Sequence, residues 1–165
     1  MSLEGKTDEC LRKLDAIESS FKDIMTSPES SDLQRSMNVM KGYNLVNAKR
    51  YSEALLALSR ALNDFPEQRG ILLCNLGLCM CGMNRPKEGL EYFDRALSEQ
   101  LDDEWKFSTL NYKALAHWQI GNLTLARKEL EICELMPGAG ANRDRVRQSL
   151  AKINELLANP ESPRT

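Results

Sequence analysis

Three cysteines and one histidine are the residues of this chain best suited to metal or nucleophilic chemistry. Cys74, Cys79 and Cys81 lie close together, and His117 is the only histidine among 165 residues. A structural zinc site needs four convergent ligands, which usually come from paired cysteines on turns. If this segment is helical, Cys74 and Cys81 share a face, whereas Cys79 points about 160° away from Cys81. The spacing therefore favours packing roles for the cysteines and predicts neither a metal nor a cofactor.

The lone histidine has no partners in the sequence that would make it a catalytic base. A general base needs a nucleophile and an orienting carboxylate nearby, but His117 is flanked by Ala116 and Trp118. No glycine-rich loop follows a strand pattern, as a phosphate-binding loop would. Gly138 and Gly140 surround a helix stop instead. We expect a structural histidine and a protein that is not an enzyme.

Composition limits the classes of protein that the chain can belong to. Hydrophobic residues make up 42% and charged residues 28%, which is typical of one soluble globular domain. A net charge of −2 argues against nucleic acid as the main partner, because phosphate binding needs surplus Lys and Arg. No apolar run approaches the roughly 18 residues of a membrane span. Five cysteines, an odd number, favour a reducing, cytoplasmic location over a disulfide scaffold.

A repeated segment organises the middle of the chain. The stretch KRYSEALLALSRALNDFP returns, altered, as NRPKEGLEYFDRALSEQL and again as GNLTLARKELEICELMPG. Aligning Ala54 with Gly89 and Ala126 gives offsets of 35 and 37 residues. An apolar segment of helix length precedes each copy. A period in this range indicates stacked helical hairpins, which bury their apolar faces only against neighbouring hairpins.

The pattern resembles the tetratricopeptide repeat (TPR), whose period is about 34 residues. The resemblance covers residues 35 to 138. In each unit a small residue of the first helix (Gly42, Gly77 or Ala114) is expected to face a large residue of the second (Leu58, Phe93 or Leu130). The resemblance implies an all-α fold: an α-α superhelix, or TPR-like solenoid, of three helical hairpins with an N-terminal helix and a C-terminal capping helix.

Helix signals divide the chain into four regions. These are an N-terminal amphipathic helix and linker (1–32), three TPR hairpins (33–138), a C-terminal capping helix (139–158) and a disordered tail (159–165). Pro28 is expected to end the first helix, and Asn142 to cap the last one. Helices are predicted over residues 8–25, 33–48, 51–63, 69–83, 86–100, 103–120, 123–135 and 143–158.

In stacked TPR hairpins the first helices line a concave groove, and the resemblance implies which residues face it. None of them is Lys or Arg, so the basic clamp that some TPR proteins use for acidic tails of heat-shock proteins is not expected. We predict a groove for an apolar peptide or an amphipathic helix, with Tyr43 and Trp118 as anchors. The predicted groove residues are Val39, Tyr43, Val46, Asn47, Ile71, Cys74, Leu78, Cys81, Ser108, Asn111, Leu115, Trp118 and Gln119.

The sequence predicts a non-catalytic adaptor or scaffold that binds another protein, and it leaves the specific role open. The layout is also similar to that of class II chaperones of type III secretion, which hold hydrophobic translocators. Another alternative is an assembly subunit that forms a homodimer through its N-terminal helix. That helix could instead cover the groove. The basic residues of the last helix are expected to form a solvated face; they are Arg143, Arg145, Arg147 and Lys152.

Overall fold

Helices account for nearly all the secondary structure of the protein. A computed structural model describes residues 3–20, 28–137 and 142–159, and within these ranges there is no strand. A short 3₁₀ turn at Pro66–Gln68 precedes the fourth helix. The helices are α1 (Leu3–Ser20), α2 (Pro28–Asn47), α3 (Tyr51–Ala61), α4 (Arg69–Gly82), α5 (Pro86–Leu97), α6 (Asp103–Gln119), α7 (Leu123–Leu135) and α8 (Arg143–Ala158).

The helices pair into the three predicted hairpins: α2 with α3, α4 with α5, and α6 with α7. The first helices also touch one another, α2 with α4 and α4 with α6, so they form the inner layer of the stack. Helix α8 packs against α7 as α4 packs against α3 and α6 against α5. It therefore occupies the place that the first helix of a fourth hairpin would take.

The turn inside each hairpin confirms the repeat register. Lys49, Asn84 and Gly121 all have positive φ, at 58°, 61° and 81°. In the first turn, the Arg50 amide donates to the Leu45 carbonyl at 2.9 Å, and the Lys49 amide donates to Val46. The other two turns repeat both bonds. These are the paired hydrogen bonds of a Schellman motif, which satisfies the last carbonyls of a helix and reverses the chain.

The expected contact between small and large residues holds the hairpins together. A Cβ atom added to Gly77 would lie 2.5 Å from the Phe93 ring, and one added to Gly42 would lie 2.5 Å from Leu58. Phe93 and Leu58 are fully buried. Glycine is therefore needed because the facing side chain fills the space that any larger residue would take.

The buried side chains form three apolar clusters along the stack. The first joins the α2–α3 hairpin to α4 and includes Leu11 of α1. The middle cluster surrounds Phe93. The third joins the α6–α7 hairpin to α8 through Val146, Leu150 and Ile153. Thus α1 and α8 cover the two ends of the solenoid, as its terminal hairpins require.

Several boundaries differ from those predicted. Helix α1 begins at Leu3 rather than at residue 8, and Pro28 begins α2 instead of ending the first helix. Proline is favoured at the first position of a helix because that position has no intrahelical partner for its N–H. Helices α3 and α5 end two and three residues early. The predictions for residues 21–25 and for the tail beyond Asn159 lie outside the described residues.

The helix caps also differ from the predicted ones. Asn142 makes no side-chain capping hydrogen bond at the start of α8. Its backbone is already helical, with φ −84° and ψ −8°, whereas a capping residue is usually extended. Asp102 does cap α6, because its carboxylate accepts the Trp105 amide at 2.8 Å. That cap lies in the segment between α5 and α6, and it was not among the caps predicted from the sequence.

Candidate functional site

A cleft opens between the inner face of the third hairpin and the C-terminal helix. It encloses a cavity of about 550 Å³ that is open to solvent. This volume is within the usual range for sites that accept a small ligand or a few side chains. We call it the α6–α8 cleft. Its lining comes mainly from two helices: Phe107, Ser108, Asn111, Tyr112, Leu115 and Trp118 from α6, and Arg145, Val146, Gln148, Ser149 and Lys152 from α8, with Asn142 just before α8.

The α6 wall contains four of the residues predicted to face the groove: Ser108, Asn111, Leu115 and Trp118. They recur every three or four residues, so one helix face presents all of them. Leu115 is 43% exposed, so much of its apolar side chain is accessible from the cleft. Trp118 is half-buried against the third apolar cluster. This wall is neutral, with apolar and amide or hydroxyl side chains next to each other.

The α8 wall supplies cations that the sequence analysis assigned to a solvated face. Arg145 and Lys152 line the cleft, seven residues or about 10 Å apart along the helix. Arg147 instead pairs with Glu134 of α7 at 2.8 Å, and Arg143 donates to the Met136 carbonyl at 3.3 Å. These side chains are nevertheless largely solvated, as predicted: Arg145 is exposed, and the side chains of Arg147 and Lys152 are 59% and 51% exposed. Two cations attach α8 to α7, and two face the cleft.

Three of the predicted groove residues point into the protein. Val39 is 7% exposed and packs in the first apolar cluster, and Cys74 is fully buried in the middle one. The Cys81 sulfur lies beside Gly89 of α5, in the interior of its own hairpin. Val39 and Cys74 are corrected to core residues, because neighbouring hairpins pack over those positions.

The other predicted residues lie along α2 and α4 or at the end of α6, outside the α6–α8 cleft. Tyr43 and Val46 pack partly into the first cluster, and Leu78 into the middle cluster. Ile71 is half-buried, while Asn47 and Gln119 are exposed. Met40, which is 51% exposed on α2, was not among the predicted groove residues. A helical wheel through Asn47 would have identified it, since the two residues are seven apart.

Two tyrosines mark the region where the three inner helices meet. Burial raises the pKa of Tyr43 on α2 and of Tyr112 on α6, and the Cys74 thiol of α4 adds to both effects. The neighbouring Thr109 of α6 is fully buried, and its hydroxyl donates to the Trp105 carbonyl at 2.7 Å. The Tyr112 ring stacks with Phe93 at a centroid separation of 6.4 Å. The inner face is thus aromatic and tightly packed at its centre, and the α6–α8 cleft lies towards its C-terminal end.

The cysteines have the environment of packing residues. Burial raises the pKa of Cys74 and Cys81 to about 11, and that of Cys79 and Cys133 to about 12. The thiolate is the nucleophile and the metal ligand, so these thiols are unreactive at neutral pH. Among the described residues, no three His, Cys, Asp or Glu side chains converge as metal ligands would.

His117 lies near an ion-pair network on the side of α6 that faces the outer helices. Lys113 bridges Asp94 of α5 and Glu129 of α7, both at 2.9 Å. His117 is 8% exposed, and its Nδ1 atom has no hydrogen-bond partner among the described residues. Burial, and secondarily the Lys113 charge, lowers the pKa of His117; Glu129 and Asp94 partly oppose this.

We expect the stability of the protein to fall as the pH drops through the imidazole range. The folded-state pKa of His117 lies below the unfolded value near 6.5, so the unfolded chain binds the proton first. The stabilisation is complete above about pH 6.5 and decreases towards the lower, folded-state pKa. Urea unfolding across this range measures the effect, and NMR titration follows the single histidine directly.

A variant separates the two causes of the shift. Lys113→Met should raise the pKa of His117, because the neighbouring positive charge is removed, and His117→Gln should remove the pH dependence in this range. A measured His117 pKa at or above 6.5 in the wild-type protein would contradict the prediction.

The N-terminal helix does not cover the α6–α8 cleft. Leu11 and Leu14 of α1 are buried, and Leu11 joins the first apolar cluster at the opposite end of the stack. Lys41 of α2 pairs with Asp15 of α1, which fixes α1 along the first hairpin. None of the described helices is long and apolar enough to cross a membrane.

The fold is similar to that of a solved TPR domain. The crystal structure of the Sgt2 TPR domain from Aspergillus fumigatus superimposes with a TM-score of 0.63 and 19% sequence identity. The match covers 84% of this chain and 88% of the other. No protein-family model and no curated protein sequence matches the chain. The protein therefore has the TPR fold, an all-α solenoid of three hairpins with a helix at each end.

Proposed function

We propose that the protein is a non-catalytic adaptor that binds a segment of another protein on its inner face, mainly in the α6–α8 cleft. The observation that carries this proposal is the exposure of Leu115 beside Trp118 in an open cavity of about 550 Å³. An exposed leucine next to an aromatic ring and several amide or hydroxyl groups suits an apolar anchor on a peptide or amphipathic helix.

The mixture of apolar, amide and hydroxyl side chains that lines the cleft supports a binding role. The cleft lining contains no carboxylate, histidine or cysteine among the described residues. On the inner helix α4, Cys74 is fully buried, and burial raises the pKa of its thiol to about 11. A rigid inner layer, in which the first helices contact one another, would hold the binding residues in place and so reduce the entropy lost on binding.

We expect Leu115→Ser to weaken partner binding about tenfold, because it removes an apolar contact at the centre of the cleft. Leu56→Ser is the matched control: Leu56 is 56% exposed on α3, in the outer layer, and undergoes the same change. Quantitative affinity capture followed by titration with the captured partner measures the effect, and thermal melting of both variants checks the fold. Equal binding by the two variants would contradict the proposal.

Two further roles rest on the layout of the chain. A homodimer through α1 would use the apolar side chains that the first hairpin leaves exposed, and Ile17 is 42% exposed. However, Leu11 and Leu14 are already used within the chain, so we favour the cleft. A chaperone for hydrophobic translocators would use the same inner face.

We propose a cytoplasmic location because all five cysteines are unpaired thiols.

A further inference from the structure

We propose that the α6–α8 cleft selects an acidic segment of its partner, in which an apolar side chain contacts Leu115 and Trp118 while carboxylates pair with Arg145 and Lys152. This inference rests on the proposed function and adds the chemistry of the partner. It also differs from the neutral groove that the sequence predicted, because the charges come from the capping helix.

The charge of the cleft has one sign. Among its twelve lining residues two are cationic and none is acidic, although the whole chain has a net charge of −2. A positive site on an otherwise slightly acidic protein does not follow from overall composition. It would attract acidic segments and repel basic ones during encounter, which is how charge contributes to selectivity.

Both cations are available to a ligand. Arg145 is exposed and makes no ion pair or hydrogen bond with the described part of the chain. Lys152 pairs only with Glu155 of its own helix, at 3.0 Å, and both side chains are more than half exposed. Such a surface pair contributes little, so a ligand carboxylate can compete for the ammonium group. In contrast, Arg147 is already paired with Glu134 across the α7–α8 contact.

The two walls would contact different parts of one segment. The α6 wall presents Leu115 and Trp118, while Asn111 and Ser149 supply amide and hydroxyl groups that can hydrogen-bond with a peptide backbone. Arg145 and Lys152 are about 10 Å apart on the other wall, the span of about three extended residues. A segment with an apolar anchor and acidic residues on both sides of it would match this arrangement. Nucleic acid would not, because two cations neutralise few phosphates.

The test compares three synthetic peptides with the same leucine and phenylalanine anchors. One has Asp and Glu on both sides of the anchors, one has Asn and Gln, and one has Lys. Fluorescence anisotropy with the full-length protein should show the acidic peptide binding about tenfold more tightly than the neutral one, and the basic peptide most weakly. The preference should decrease as salt is raised, because the cations are exposed.

Charge-neutral variants locate the effect. Arg145→Gln combined with Lys152→Gln should abolish the preference, so that the acidic and neutral peptides bind this variant equally. Lys87→Gln combined with Lys128→Gln removes the same charge from exposed positions on the outer helices, and should preserve the preference. If the control pair has the same effect, only net charge matters and the inference is wrong.

The outcomes also separate this inference from the proposed function. Equal binding of acidic and neutral peptides, with both weakened by Leu115→Ser, would overturn the acidic preference and keep the binding role. If the Leu115→Ser and Leu56→Ser variants bind the peptides equally well, the binding role itself would be overturned. If the Arg145 and Lys152 variant instead changes the mass measured by light scattering, the cleft is a contact between copies of this chain, and the inference fails.

Discussion

Replacing Phe93 with alanine is expected to lower the free energy of unfolding by about 3–5 kcal/mol. Phe93 is fully buried at the centre of the stack, where it fills the space beside Gly77 and stacks with Tyr112. Truncation leaves a cavity that the neighbouring helices can close only in part. Because a domain of this size is stable by roughly 5–15 kcal/mol, the loss is a large share of the total. Urea unfolding followed by circular dichroism measures it.

Two further variants show whether the loss comes from this contact. Leu56→Ala, at an exposed position on α3, should change stability by less than about 0.5 kcal/mol. Gly77→Ala should destabilise the protein on its own, since its Cβ would meet the Phe93 ring, but should do so less in a Phe93→Leu background. Additive effects in this cycle would mean that α4 and α5 do not approach as closely as described.

The fold could be predicted because its determinants are local and repeated. The small residues at Gly42 and Gly77 are recognisable from their spacing alone, and each faces the large residue expected. The turns at Asn84 and Gly121 use residues that tolerate positive φ. Pro28 was assigned incorrectly because a fixed φ suits both the end of one helix and the start of the next. The sequence around it does not distinguish the two.

The candidate site could be predicted only in part because it depends on how helices pack. The repeat register predicted correctly that Leu115 and Trp118 of α6 would line the site. Applied to α4, the same register predicted that Cys74 faces the groove, but adjoining hairpins bury it. The apolar period of α8 showed which face is buried. It did not show that Arg145 and Lys152 would lie opposite α6. That information is absent from one helix alone, because it requires the angle at which α8 meets α7.

Replacing Ile153 with alanine is expected to remove about 2–4 kcal/mol, chiefly from the C-terminal end of the solenoid. Ile153 is fully buried against the α6–α7 hairpin and is the most buried residue that attaches α8. In a repeat protein each element is stabilised mainly by its neighbours, so damage at one end need not destabilise the other. Hydrogen exchange should therefore accelerate in α7 and α8 first, while α2 to α4 keep their protection.

The same substitution should also weaken binding in the α6–α8 cleft, although Ile153 does not line it. Helix α8 forms one wall of the cleft, and a loosened wall makes the binding arrangement less populated, which lowers the apparent affinity. Leu157→Ala, one turn further along α8 at a residue 36% exposed, is the matched control. It should change neither hydrogen exchange nor binding much.

If exchange instead accelerates equally in all the described helices, the protein unfolds as one unit. In that case α8 cannot open independently of the central hairpins, and weaker binding by Ile153→Ala would reflect global unfolding rather than a displaced wall.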